Sequence, residues 1–142
     1  MRIMAIDYGD AHTGVAISDA GETLAGFTTV IDSWHSEVVA EKIAALCVEH
    51  GVEALVLGHP LNMDGSRGPR AEKAEAFAEV LKEQTGLPVA LWDERRSTVE
   101  AHDILFRAGK NAKKRKKVVD AVAASLILEG YLAWRKNHRE EA

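Results

Sequence analysis

"MAIDYGDAHTGVAISD", residues 4–19, decides how this chain folds. An apolar run stops at an acid, Asp7. Gly9 follows two residues later, and a second apolar run begins at Gly14. Two short apolar runs joined by a glycine-containing polar turn read as adjacent strands. A carboxylate where a buried strand ends has two readings: it forms the turn, or something positive sits against it.

Working outward, "RIMAIDYG" (2–9) reads as a central strand and "TGVAISD" (13–19) as its neighbour. Asp19 with "AGE" (20–22) makes a tight turn into a third strand, "LAGFTTV" (24–30). A helix follows from about Ser36 to His50, with Val39, Ile43, Leu46 and Cys47 on one face, and Gly51 stops it. "EALVLGHP" (53–60) is a buried strand closed by Gly58 and Pro60, and "LNMDGSRG" (61–68) is a loop. Pro69 opens a second helix with Ala74, Phe77, Ala78 and Leu81 inward, ending at Gly86. "PVALW" (88–92) is the fifth strand. Ser97 and Glu100 fit a capping box for a short helix to Ala108. A last helix begins near Val118 and runs to about Asn137; its "AVAASLIL" (121–128) is apolar nearly all round and is expected to be buried.

Strands that alternate with helices want parallel pairing and right-handed crossovers. The expected class is α/β: a mixed sheet with helices on both faces, in a single domain over 1–142. Ligands bind such sheets beyond the carboxyl ends of the central strands. Asp7, "GHP" (58–60) and "DER" (93–95) all stand at such ends.

Composition narrows the class further. The 142 residues are 46% hydrophobic and 28% charged, enough for one real core. No apolar stretch approaches a membrane span, and the first residues do not read as a signal peptide, so a cytoplasmic protein is expected. Cys47 is the only cysteine, which excludes a disulfide framework and zinc-ligand spacing. The net charge of −4 argues against nucleic-acid binding, yet "RAGKNAKKRKK" (107–117) carries seven basic residues and no acid. Such a patch binds phosphates, or is only a solvated loop.

Asp7, Asp93, Glu94 and Asp120 could meet. Each has a plain explanation: a turn, an ion pair with Arg95 or Arg96, an acid in a first helical turn. Jointly, carboxylates repel unless protonated or bridged by a cation. Hard oxygen ligands without His or Cys suit Mg²⁺ or Mn²⁺. Two such ions about 4 Å apart activate water and stabilise the leaving oxygen in phosphodiester hydrolysis. The basic segment leads into Asp120 and would deliver phosphates. Gly9 and Gly14 would let the backbone turn tightly and approach a phosphate, although D-x-G-x-x-x-x-G also occurs in folds that contact ATP.

Together, "MAIDYGDAHTGVAISD", "LVLGHPLNMDGSRGPRAEKAEAF", "LWDERRSTVEAH" and "KKRKKVVDAVAASLILEGYL" resemble the YqgF/RuvX family over nearly the whole chain. These are ribonuclease H-like proteins described as Holliday-junction resolvases and, now mainly, as pre-16S rRNA processing nucleases. The resemblance implies a ribonuclease H-like fold with a five-stranded mixed sheet, an antiparallel meander plus two parallel strands. It implies Asp7, Glu94 and Asp120 as catalytic acids holding Mg²⁺ or Mn²⁺. It implies cleavage of RNA or branched DNA, with RNA favoured. Arg95, Arg96, Lys110, Lys113, Lys114, Arg115, Lys116 and Lys117 are the residues expected to hold the strand. Asp93 would support the acids, and Asn62, Gly58 and Gly65 would shape a loop beside them. Two positions depart from the family pattern. His12 and Thr13 stand where a basic and an aliphatic residue are usual, so a phosphate contact there is lost or made pH-dependent. Arg96 stands where the family is often apolar.

Two rivals have different chemistry. A non-catalytic RNA-binding assembly factor would keep the fold and the patch, and would bind RNA without Asp7. An actin-like ATP-handling protein would need a second domain for which the chain is too short. A junction resolvase would be a homodimer, whereas an RNA nuclease can be a monomer. Trp134 reads as core or interface.

Overall fold

The computed structural model describes residues 1–19, 25–93 and 112–141, with backbone alone for 25, 112–120 and 137–141. The elements are β1 (Arg2–Asp7), β2 (His12–Ser18), β3 (Ala25–Asp32), α1 (Ser36–His50), β4 (Val52–His59), α2 (Pro69–Thr85), β5 (Val89–Asp93) and α3 (Ala112–Glu141). They form one five-stranded sheet in the order β3-β2-β1-β4-β5. The first three strands pair antiparallel, while β1, β4 and β5 run parallel. The central position of β1 follows from its sequence: every residue from Ile3 to Ile6 is buried, so the strand is covered on both faces.

Alternation divides those residues between two cores. Met4 and Ile6 join Val15, Ile17, Leu55 and Leu57 under α1 and α2. Ile3 and Ala5 join Ala16 and Val56 under Ala124, Ile127, Leu128 and Leu132 of α3. The inner faces of α1 and α2 are as the periodicity implies: Val39, Ile43 and Cys47 of α1 are buried, as are Ala74, Phe77, Ala78 and Leu81 of α2. Both helices close on a left-handed glycine, Gly51 at φ 68° and Gly86 at φ 70°. Burial pushes the Cys47 thiol up to about 11, which leaves it an inert core group.

The last helix corrects the sequence reading twice. It starts at Ala112, so Lys113–Lys117 lie on its first turns and are not a loop. Lysine and arginine are good helix formers, and the segment propagates from the packed part of the helix. The 121–128 stretch is not buried all round: Ala124, Ile127 and Leu128 are, and Ala121, Val122, Ala123, Ser125 and Leu126 are only half-buried. One sheet face covers one helical stripe. The expected turn at 20–22 and short helix to Ala108 lie outside the described residues.

Thr13 is 0% exposed, and its Oγ1 finds no partner among the described residues. A buried hydroxyl left unpaired costs about 1–3 kcal/mol. Thr13→Val is therefore expected to raise unfolding stability by about 1 kcal/mol in urea denaturation. A loss of stability would show that the hydroxyl is satisfied.

Candidate active site

Parallel pairing brings the carboxyl ends of β1, β4 and β5 to one sheet edge, with Asp7, His59 and Asp93 as their last residues. Asp7 continues the Ile3–Ala5 series, so alternation turns it to the face covered by α3. Directly opposite Asp7 in the β1–β2 pair stands Gly14. Cross-strand partners share a face with Cβ atoms about 5 Å apart. Glycine there places no side chain beside the carboxylate.

This corrects the roles expected of the glycines. Gly14 lies inside β2 and makes no turn. Gly9 is required by the turn itself, because a Cβ there would stand 2.4 Å from the His12 carbonyl oxygen. Gly58 is a strand residue paired with Trp92, not part of the following loop. Gly65 does turn that loop, with φ 87°. Asn62 closes it: its backbone N–H donates to Ser66 O at 2.9 Å, and its Nδ2 donates to Ser66 Oγ at 2.9 Å.

Position 120 sits one helical turn before Ala124, on the stripe that packs on the Asp7 face. Glu94, Arg95, Arg96 and Lys110 lie outside the described residues, and Lys113–Lys117 are placed by backbone only. Among the described side chains, no three His, Cys, Asp or Glu converge to hold a metal ion. Glu94 and the Asp120 carboxylate lie outside those described side chains. The Asp7 carboxylate, opposite a residue with no side chain, is a hard oxygen donor of the kind that suits a divalent cation.

Two histidine contacts were not visible in the sequence. His12 and Asp32 are register partners across β2 and β3. The His12 Nδ1–H donates to Asp32 Oδ1 at 2.5 Å, so the residue in the usual basic position is engaged by an acid. At the end of β4, the His59 Nε2–H donates to Glu75 Oε2 at 2.7 Å. Arg67 grips the same carboxylate, Nε donating to Oε2 at 2.8 Å and the guanidinium also reaching Oε1. This ties the 61–68 loop to α2 and to the strand edge.

Arg67 first, then His59, hold the Glu75 carboxyl down from an ordinary 4.5 to about 2. The charged form is favoured in the folded state. Its contribution to stability is complete above about 4.5 and is lost as pH falls toward 2. The stability gap between wild type and Glu75→Gln, read by urea unfolding, is expected to close across that window. A gap independent of pH there would show that the carboxylate's charge contributes nothing.

A family model described as "RuvX: Holliday junction resolvase" matches residues 1–134. The chain belongs to the RuvX family. A relative from Halothermothrix orenii named "Putative pre-16S rRNA nuclease" is 49% identical over 95% of this chain and 96% of its own length. A relative of the same name from Geobacillus thermodenitrificans is 46% identical over 93% and 97%. Among solved structures, T. thermophilus RuvC in complex with a Holliday junction substrate aligns with TM-score 0.63 over 96% of both chains at 13% identity. The large terminase nuclease from thermophilic phage G20c aligns with TM-score 0.58 over 92% and 81%, at 12% identity. At those identities the structural likeness speaks for the fold, which is the RuvC-like, ribonuclease H-like one expected of the RuvX family.

Proposed function

We propose that the chain is a cytoplasmic, divalent-metal-dependent nuclease that hydrolyses RNA phosphodiesters, in 5′-end processing of pre-16S rRNA. The observation that carries this is Asp7, ending a central strand opposite a glycine, on the face where α3 brings position 120. The near full-length likeness to relatives named for pre-16S rRNA supports the substrate. Asp7, Glu94 and Asp120 would hold Mg²⁺ or Mn²⁺. Such ions supply water activation and stabilisation of the leaving oxygen. The chain's own part would be to fix Asp7 at the end of a central strand, to bring position 120 to that face on α3, and to hold the phosphates with Arg95, Arg96, Lys110 and Lys113–Lys117. No described helix is long and apolar enough to cross a membrane.

The family description favours a second reading, a homodimeric resolvase cutting branched DNA. Cleavage of labelled single-stranded RNA and of a four-way DNA junction, each with Mg²⁺, Mn²⁺ or EDTA, separates the two. Metal-dependent cutting of RNA by a monomer is the expected result. Paired cuts in the junction by a dimer would give the resolvase.

A further inference from the structure

An open cleft of about 570 Å³ lies between the β1–β2 turn, the β3–α1 connector and α2, lined among others by Tyr8, Asp10, Trp34 and Lys73. A smaller hollow of about 100 Å³ shares Tyr8, Asp10 and Lys73 with it and reaches Pro60 and Arg70. The groove thus starts at α1 and ends beside the carboxyl end of β4. Tyr8 alternates with Asp7 and packs on the α1–α2 side, so the groove lies at the same end of the sheet as Asp7 but on the face opposite the one to which Asp7 turns.

Its lining is unlike a core. Trp34 is 76% exposed. The connector that presents it is pinned: Ser33 N–H donates to Ala11 O at 2.9 Å, and His35 N–H donates to Ser33 Oγ at 3.1 Å. An exposed indole on a pinned connector offers a face on which a flat ring can stack. Tyr8 is already stacked on Phe77, with ring centroids 4.0 Å apart and planes within 8°. It forms a fixed wall. Lys73 and Arg70 outnumber the one acid, Asp10. The Lys73–Asp10 contact is a long, exposed 3.4 Å pair, which a phosphate displaces readily.

We propose that this groove is a subsite for an unpaired nucleotide, its base stacked on Trp34 and its phosphate held by Lys73 and Arg70. The inference rests on the nuclease reading and extends it, naming single-stranded over duplex nucleic acid as the preferred substrate. A base within a duplex has no free face to offer the indole.

The test is fluorescence anisotropy of the full chain with labelled single strands of about 12 nucleotides, RNA and DNA in separate arms, and a duplex of the same sequence, all in EDTA. Trp34→Ala is expected to weaken binding of the single strand about tenfold and leave duplex binding unchanged. Trp34→Phe, which keeps an aromatic face, should restore most of the loss. Lys73→Gln should reduce the salt slope by about 0.7. Whichever single-strand arm responds identifies the nucleic acid. Wild-type affinity in Trp34→Ala, an equal loss with duplex, or a wild type that binds no single strand would each overturn the subsite. Wild-type cleavage in Mg²⁺ is scored separately. A wild type that cuts while Trp34→Ala binds normally sinks the subsite alone. A wild type that never cuts while Trp34→Ala loses affinity sinks the nuclease reading alone.

Discussion

Asp7→Asn is expected to fold, to bind RNA, and to cut it at least about 100-fold more slowly than wild type. Losing a group one step removed from a metal typically costs 10–100-fold, so losing a direct ligand falls at or beyond the upper end. Asparagine keeps the shape of the side chain and removes the charge, so the β1–β2 pairing opposite Gly14 is undisturbed. Single-turnover cleavage of labelled RNA gives the rate, and circular dichroism checks the fold. Unchanged cutting would remove Asp7 from the chemistry. Binding without cutting in the wild type itself would favour the non-catalytic assembly factor.

Leu128→Ala is expected to cost about 3 kcal/mol and to lower the melting temperature by about 10 °C. Leu128 is 0% exposed in the smaller core, on the helix that carries Asp120 and facing the sheet. Leu81→Ala, also at a fully buried leucine but in the α1–α2 core, is expected to cost a similar amount. The two should part in activity. At a temperature where both are folded, Leu128→Ala should cut more slowly, because the cavity loosens the helix bearing an acid. Thermal melts and cleavage rates together check this. Equal rates in the two variants would detach α3 from the reaction.

The five strands and the first two helices are legible in the sequence because their apolar runs are short and punctuated by Gly and Pro. Their observed ends lie within a residue or two of the expected ones. The basic start of α3 is not legible, because 112–117 has no apolar periodicity to show a helix. At the site, Asp7 stands out by ending an apolar run. The His12–Asp32 pair becomes visible only once β2 and β3 are in register. The Arg67–Glu75–His59 contacts join residues up to 16 apart on a loop, a helix and a strand, and no local pattern announces them. Trp34 reads as one more apolar residue near a helix start until its exposure is seen.

β1 is hydrogen-bonded along both edges and covered on both faces. A slip of one residue against either neighbour would exchange every side chain between the two cores and turn the carboxylate of Asp7 to the opposite side of the sheet. No small adjustment lies between those arrangements. The position of this acid is therefore digital: it is either where the register puts it or on the wrong side altogether. The carboxylate proposed as a metal ligand, which must be held to a fraction of an ångström, thus stands on the least adjustable strand of the described sheet.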